Sequence, residues 1–207
     1  GLAKINYDCK PSLISIVKDV RKQDFKGPLL LRFPHITEKQ INTLYNTFNA
    51  SIREYDYKGS FNAVFPLKVN QLPNFIHPLI NCGKIFNYGL EAGSKAELII
   101  AMTYNNIGAP ITVNGFKDKE MIHLCFIAKN MGHNITIIIE GLNELEMIIE
   151  VLNETKLVCP NIGLRVRLHS GGSGMWAKSG GINSKFGLTS TEILEAFELM
   201  EDNNIVN

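Results

Sequence analysis

From residue 60 onward, short apolar runs alternate with amphipathic helical stretches, and this alternation most limits the folds open to the chain. The apolar, β-branched runs lie at 63–69, 84–88, 111–113, 135–139 and 163–168. Between them, apolar residues at i, i+3 and i+4 predict helices over 72–81, 94–104, 117–131, 142–154 and 189–202. The strand-like runs read as apolar on both faces, as parallel strands covered by helices should. A repeated βα unit of this kind implies an α/β protein with right-handed crossovers. Periodicity alone leaves open whether the sheet is doubly wound or belongs to a (β/α)8 barrel.

Local signals sharpen the helix ends. Ser94 is a good N-cap, and Gly132 a plausible C-cap for the helix over 117–131. Thr189-Ser190-Thr191-Glu192 supplies Ser/Thr caps and an acidic first turn for the last helix. Ahead of the repeat, 28–33 reads as a strand and 37–55 as a helix. The helix is expected to enter the repeating domain. The strand fits no βα unit and is expected to belong elsewhere.

Composition removes several function classes. At 207 residues the chain can bury one sizeable core. A net charge of +1 with no basic block argues against a nucleic-acid surface. No apolar run is long enough to span a membrane, and the start lacks the pattern of a signal peptide. Cys9, Cys82, Cys125 and Cys159 show neither metal-ligand spacing nor a disulfide pattern, so they read as reduced thiols of a cytoplasmic protein. The histidines (His35, His77, His123, His133, His169) are scattered and form no local metal motif.

Two stretches carry possible chemistry. Lys68 lies among Val64, Phe65, Leu67 and Val69. If its amine points into a cleft, desolvation favours the neutral form, a nucleophile able to form a Schiff base with an aldehyde. The simpler local reading is a strand-end lysine reaching to water. Residues 170–187, rich in Gly and Ser, follow the last strand run and include the chain's single Trp, Trp176. A long connection at the carboxyl end of a parallel strand is either a flexible excursion or part of a site.

Four motifs then occur in fixed order. They are Pro28-Leu29-Leu30-Leu31-Arg32-Phe33-Pro34, Phe65-Pro66-Leu67-Lys68-Val69-Asn70-Gln71, Tyr88-Gly89-Leu90-Glu91-Ala92-Gly93-Ser94-Lys95-Ala96-Glu97-Leu98, and Gly172-Ser173-Gly174-Met175-Trp176 running on to Ser184-Lys185-Phe186-Gly187-Leu188. Together they resemble the bacterial biosynthetic arginine decarboxylases, pyridoxal-phosphate enzymes with the alanine racemase-type barrel. Met175 stands where that loop often carries a basic residue, a departure away from the chemistry.

The resemblance implies a partial TIM-type (β/α)8 cofactor-binding barrel of about five βα units. It places the barrel in 36–207, with 1–35 as an N-terminal segment whose strand joins a separate β-domain. Lys68 would carry pyridoxal phosphate, with Arg165 and Glu91 beside the cofactor. Read bottom-up, Arg165 could equally be an inward barrel residue in a salt bridge, and Glu97 a surface or supporting residue. The implied reaction is decarboxylation of L-arginine to agmatine, a step of polyamine biosynthesis, in a dimer-based homo-oligomer. Magnesium is implied by resemblance only. The family's later strands and its ring-stacking His have no counterpart here, so a fragment of a longer enzyme is expected. Decarboxylation of ornithine, lysine or diaminopimelate, or a non-catalytic homologue, are the alternatives.

Overall fold

The computed structural model describes residues 11–167 and 187–205. Residues up to Phe33 and residues from Pro34 onward form two compact units. In the first, helix α1 (Leu13–Lys22) is capped by the Ser12 hydroxyl, which accepts the Ser15 N–H at 3.2 Å. Residues 28–33 form no strand among the described residues. An extended apolar run becomes a strand only when another strand takes up its N–H and C=O groups.

Among the described residues the second unit holds five parallel strands: β1 (Val64–Pro66), β2 (Gly89–Ala92), β3 (Pro110–Val113), β4 (Asn134–Ile139) and β5 (Asn161–Leu164). Helices α2 (Pro34–Glu54), α3 (Pro73–Gly83), α4 (Lys95–Tyr104), α5 (Lys119–Asn130), α6 (Leu142–Glu154) and α7 (Ser190–Asp202) complete it. The strand order is β1-β2-β3-β4-β5, without reversal. Right-handed crossovers that always step the same way place every connecting helix on one face. A doubly wound sheet needs a reversal, so the order selects a barrel-type arrangement, of which five strands are present.

The two faces of the sheet differ accordingly. Leu90, Ala92, Ile111, Val113, Ile135, Ile137 and Ile139 have no exposed surface and lie beneath the helices. The opposite face carries a row in register, Glu91-Thr112-Thr136-Asn161, each residue only half-buried. The expectation of strands apolar on both faces is therefore corrected: one face packs against helices, and the other is half-buried and mixed, with this polar row beside Val64, Pro110 and Ile138.

One expected strand and one expected helix also change their bounds. The run 84–88 forms a 3₁₀ turn over Lys84–Phe86, then Asn87 adopts a left-handed conformation (φ 53°) and the strand starts at Gly89. A Cβ at Gly89 would stand 2.0 Å from the Pro110 carbonyl oxygen, so β2 and β3 meet there only because residue 89 is glycine. Helix α2 starts three residues before its expected first turn because Pro34 suits that position. Tyr45 anchors α2: it stacks on Phe86 at 4.3 Å, and its hydroxyl accepts the Ala63 N–H at the entrance to β1.

Candidate active site

The expected site residues all stand at carboxyl ends of strands, the end where parallel α/β sheets build their sites. β1 stops at Pro66, and Leu67–Val69 close a 3₁₀ turn. Leu67 enters the core with no exposed surface, while Lys68 and Val69 are turned outward. Lys68 is exposed and has neither hydrogen bond nor ion pair among the described residues. The desolvated amine expected from its apolar neighbours is corrected: in this chain the turn separates the lysine from them and leaves it open to solvent.

Glu91 lies on the next strand, opposite Pro66, on the half-buried polar face. Arg165 follows β5 directly; its N–H extends the ladder to the Ile139 carbonyl at 2.9 Å. Its guanidinium donates to Glu140 at 2.6 Å. The sheet thus sets Lys68, in the turn after β1, and Glu91, on the adjacent strand β2, at one side and Arg165, just after β5, at the other.

Carboxylates on the helices tie these strand ends together. Glu97, in the first turn of α4, is buried and accepts the Gly93 N–H at 2.7 Å and the Gln71 side-chain amide at 2.8 Å. Glu144, in the first turn of α6, accepts the Glu140 N–H at 2.8 Å and pairs at 3.0 Å with Lys117, which has no exposed surface. Lys117 also donates to the Gly115 carbonyl. In both cases a carboxylate holds the backbone four residues earlier and a side chain from the preceding βα loop. Glu97 was read from the sequence as a surface or supporting residue; Gln71, Lys117, Glu140 and Glu144 were not singled out as site-building residues. The available signal was a first-turn Glu five residues beyond the last strand residue at two βα junctions.

The Arg165 end is shaped by a glycine. Leu188 N–H donates to the Arg165 carbonyl at 2.7 Å, and Arg167 N–H to the Leu188 carbonyl at 2.8 Å. Gly187 makes this possible with φ 85°, its α-carbon so close that a Cβ would lie 3.0 Å from the Arg165 oxygen. The rest of the Gly/Ser-rich stretch, with Met175 and Trp176, lies outside the described residues, as do Cys9 and His169.

Burial pushes the Cys125 thiol up to about 12 and Cys159 to about 11, so neither supplies a thiolate nucleophile near neutral pH. Among the described residues no three His, Cys, Asp or Glu side chains are grouped to hold a metal, and nothing supports the magnesium implied by resemblance. No described helix is long and apolar enough to cross a membrane.

A strand-end lysine beside a half-buried glutamate invites comparison with enzymes that hold an aldehyde cofactor. The model of the pyridoxal-dependent decarboxylase family, pyridoxal binding domain, matches residues 39–206. The chain belongs to this family. Among curated members, biosynthetic arginine decarboxylase of Bacteroides thetaiotaomicron is 41% identical over 93% of this chain and 31% of its own length. That of Tolumonas auensis is 39% identical over 96% of this chain and 32% of its own. The crystal structure of biosynthetic arginine decarboxylase from Campylobacter jejuni superposes with a TM-score of 0.87 at 58% identity, covering 97% of this chain and 32% of that one. Diaminopimelate decarboxylase from Helicobacter pylori, at 18% identity and a TM-score of 0.65, shares the fold. This pyridoxal binding domain therefore spans about a third of the length of the curated decarboxylases it matches.

Proposed function

We propose that the protein carrying this domain decarboxylates L-arginine to agmatine and carbon dioxide, with pyridoxal phosphate attached at Lys68. The observation that supports this best is Lys68 itself: an exposed amine without a polar partner among the described residues, at the carboxyl end of the first strand, in a chain 58% identical to an arginine decarboxylase. When bound, the cofactor supplies the electron sink for the pair left behind by the departing carboxylate.

The chain's own residues fit that group. Lys68 would hold it covalently and return to release the product. Arg165, oriented by Glu140, would set a fixed positive charge near it. Glu91 would stand at its edge on the neighbouring strand. Leu67 anchors the lysine's turn in the core, so the amine is offered from a rigid base. Residues 1–35 are proposed to contribute a strand to a separate β-domain, and the active form to be a dimer-based cytoplasmic assembly. Product agmatine would feed polyamine synthesis.

Lys68→Ala in the complete gene product is expected to abolish carbon dioxide release from arginine. Borohydride reduction of the cofactor-loaded wild type, followed by peptide mass mapping, should give one adduct, at Lys68. Wild-type turnover in the variant, or an adduct elsewhere, overturns the assignment. Faster release from ornithine, lysine or diaminopimelate would keep the lysine and reassign the substrate.

A further inference from the structure

We infer that the Gln71–Glu97 pair positions Lys68, an inference that rests on Lys68 being the cofactor lysine. Lys68 has no side-chain hydrogen bond or ion pair of its own among the described residues, so the backbone of its turn sets where the side chain starts. That turn is held at two points. On one side Leu67 is fully buried. On the other, Asn70 accepts the Leu72 N–H at 3.0 Å, and the Gln71 amide reaches Glu97 at 2.8 Å.

Glu97 is well suited to the task. Its second oxygen accepts the N–H of Gly93, two residues beyond Glu91. Ser94 caps the same helix turn by accepting the Glu97 N–H. One buried carboxylate thus fixes the Lys68 turn relative to the strand end bearing Glu91. The arrangement offers Glu97 no acid–base role, since both of its carboxylate oxygens already accept hydrogen bonds, from Gln71 and from Gly93. Glu97 and Gln71 are therefore positioning residues, and displacement of a reacting group by about 1 Å can cost a hundredfold in rate.

The test uses the complete gene product with pyridoxal phosphate at limiting concentration. Gln71→Glu places two carboxylates against each other, and Gln71→Ala removes the tie. Exchanging the partners, Gln71→Glu with Glu97→Gln, restores an amide–carboxylate pair and leaves an acceptor for Gly93. The readouts are borohydride-trapped adduct at Lys68, visible absorbance of bound cofactor, kcat and Tm. In Gln71→Glu, trapping and kcat should fall about tenfold or more, with Tm close to wild type. Gln71→Ala should fall less, and the exchanged pair should recover most of both. Wild-type trapping and kcat in both single variants overturn the inference. So does a loss that the exchange does not repair, or one that follows Tm alone. If wild type itself gives no adduct at Lys68, the underlying functional reading fails instead, and this inference with it.

Discussion

At the scale of single residues, the clearest commitment of free energy is the ion pair of Lys117 and Glu144. Lys117 has no exposed surface and Glu144 almost none. Removing one partner leaves the other charge buried without compensation, which costs about 3–5 kcal/mol, whereas replacing both is often nearly neutral. Lys117→Met and Glu144→Gln are each expected to lower unfolding free energy by about 3–5 kcal/mol in urea titrations of the complete gene product. The double variant should recover most of the loss. Single variants that cost less than about 1 kcal/mol would show the pair to be solvated in practice. Lys117 was invisible as a core residue in the sequence because nothing local distinguishes a buried lysine from a surface one; only its partner, 27 positions on at Glu144, does. Lys68 illustrates the converse. Apolar neighbours in sequence suggested burial, but a 3₁₀ turn sends successive side chains in different directions, and only Leu67 follows the core.

At the scale of elements, helices were legible and so were the starts of β1, β3 and β4, each within one residue of its expected run, but β2 was not. Ser94 and Thr189 cap α4 and α7 as their sequences indicate, and α6 spans Leu142–Glu154, the same residues as its expected range. Caps are written in a few adjacent residues, so they can be read locally. Strand β2, Gly89-Leu90-Glu91-Ala92, has poor strand propensity in three of its four residues. It is a strand because β1 and β3 pair with it on either side, which no local window contains. The capping box of α7 also has a pH signature. Glu192 accepts the Thr189 N–H at 2.7 Å and its hydroxyl at 2.8 Å, and these bonds hold the carboxyl below its ordinary range. A carboxyl depressed in the folded state adds stability that is present above its unfolded pKa and lost as pH falls through the folded one. Thr189→Ala should therefore destabilise by about 1 kcal/mol at neutral pH. The difference from wild type should shrink as pH falls below the ordinary carboxylate range. A difference that stays constant across that acid range would mean that Glu192 takes no part in the cap. Thermal melts at stepped pH measure it.

At the scale of the whole molecule, sequential strand order and a one-sided helix layer decide the fold that periodicity could only narrow to two. The same facts leave the sheet with two backbone edges that no further strand pairs among the described residues. Among the described residues β1 has only β2 beside it, and β5 has only β4 as a strand neighbour, with a single bridge from Val166 to Leu188 beyond it. Unpaired edges offer rows of N–H and C=O groups to any other strand. Apolar side chains gather at the same end of the sheet: Val69 on the β1 turn, Phe116 after β3 and Val166 after β5 are 66%, 82% and 54% exposed. With a net charge of only +1, little electrostatic repulsion opposes contact between copies. Produced by itself, this chain is expected to self-associate, with an apparent mass by light scattering that rises with concentration. Adding charge where the edge is open should reverse this: Val64→Lys lies on β1 and should shift the distribution toward monomer. A monodisperse monomer at every concentration, melting in one cooperative step, would contradict the prediction.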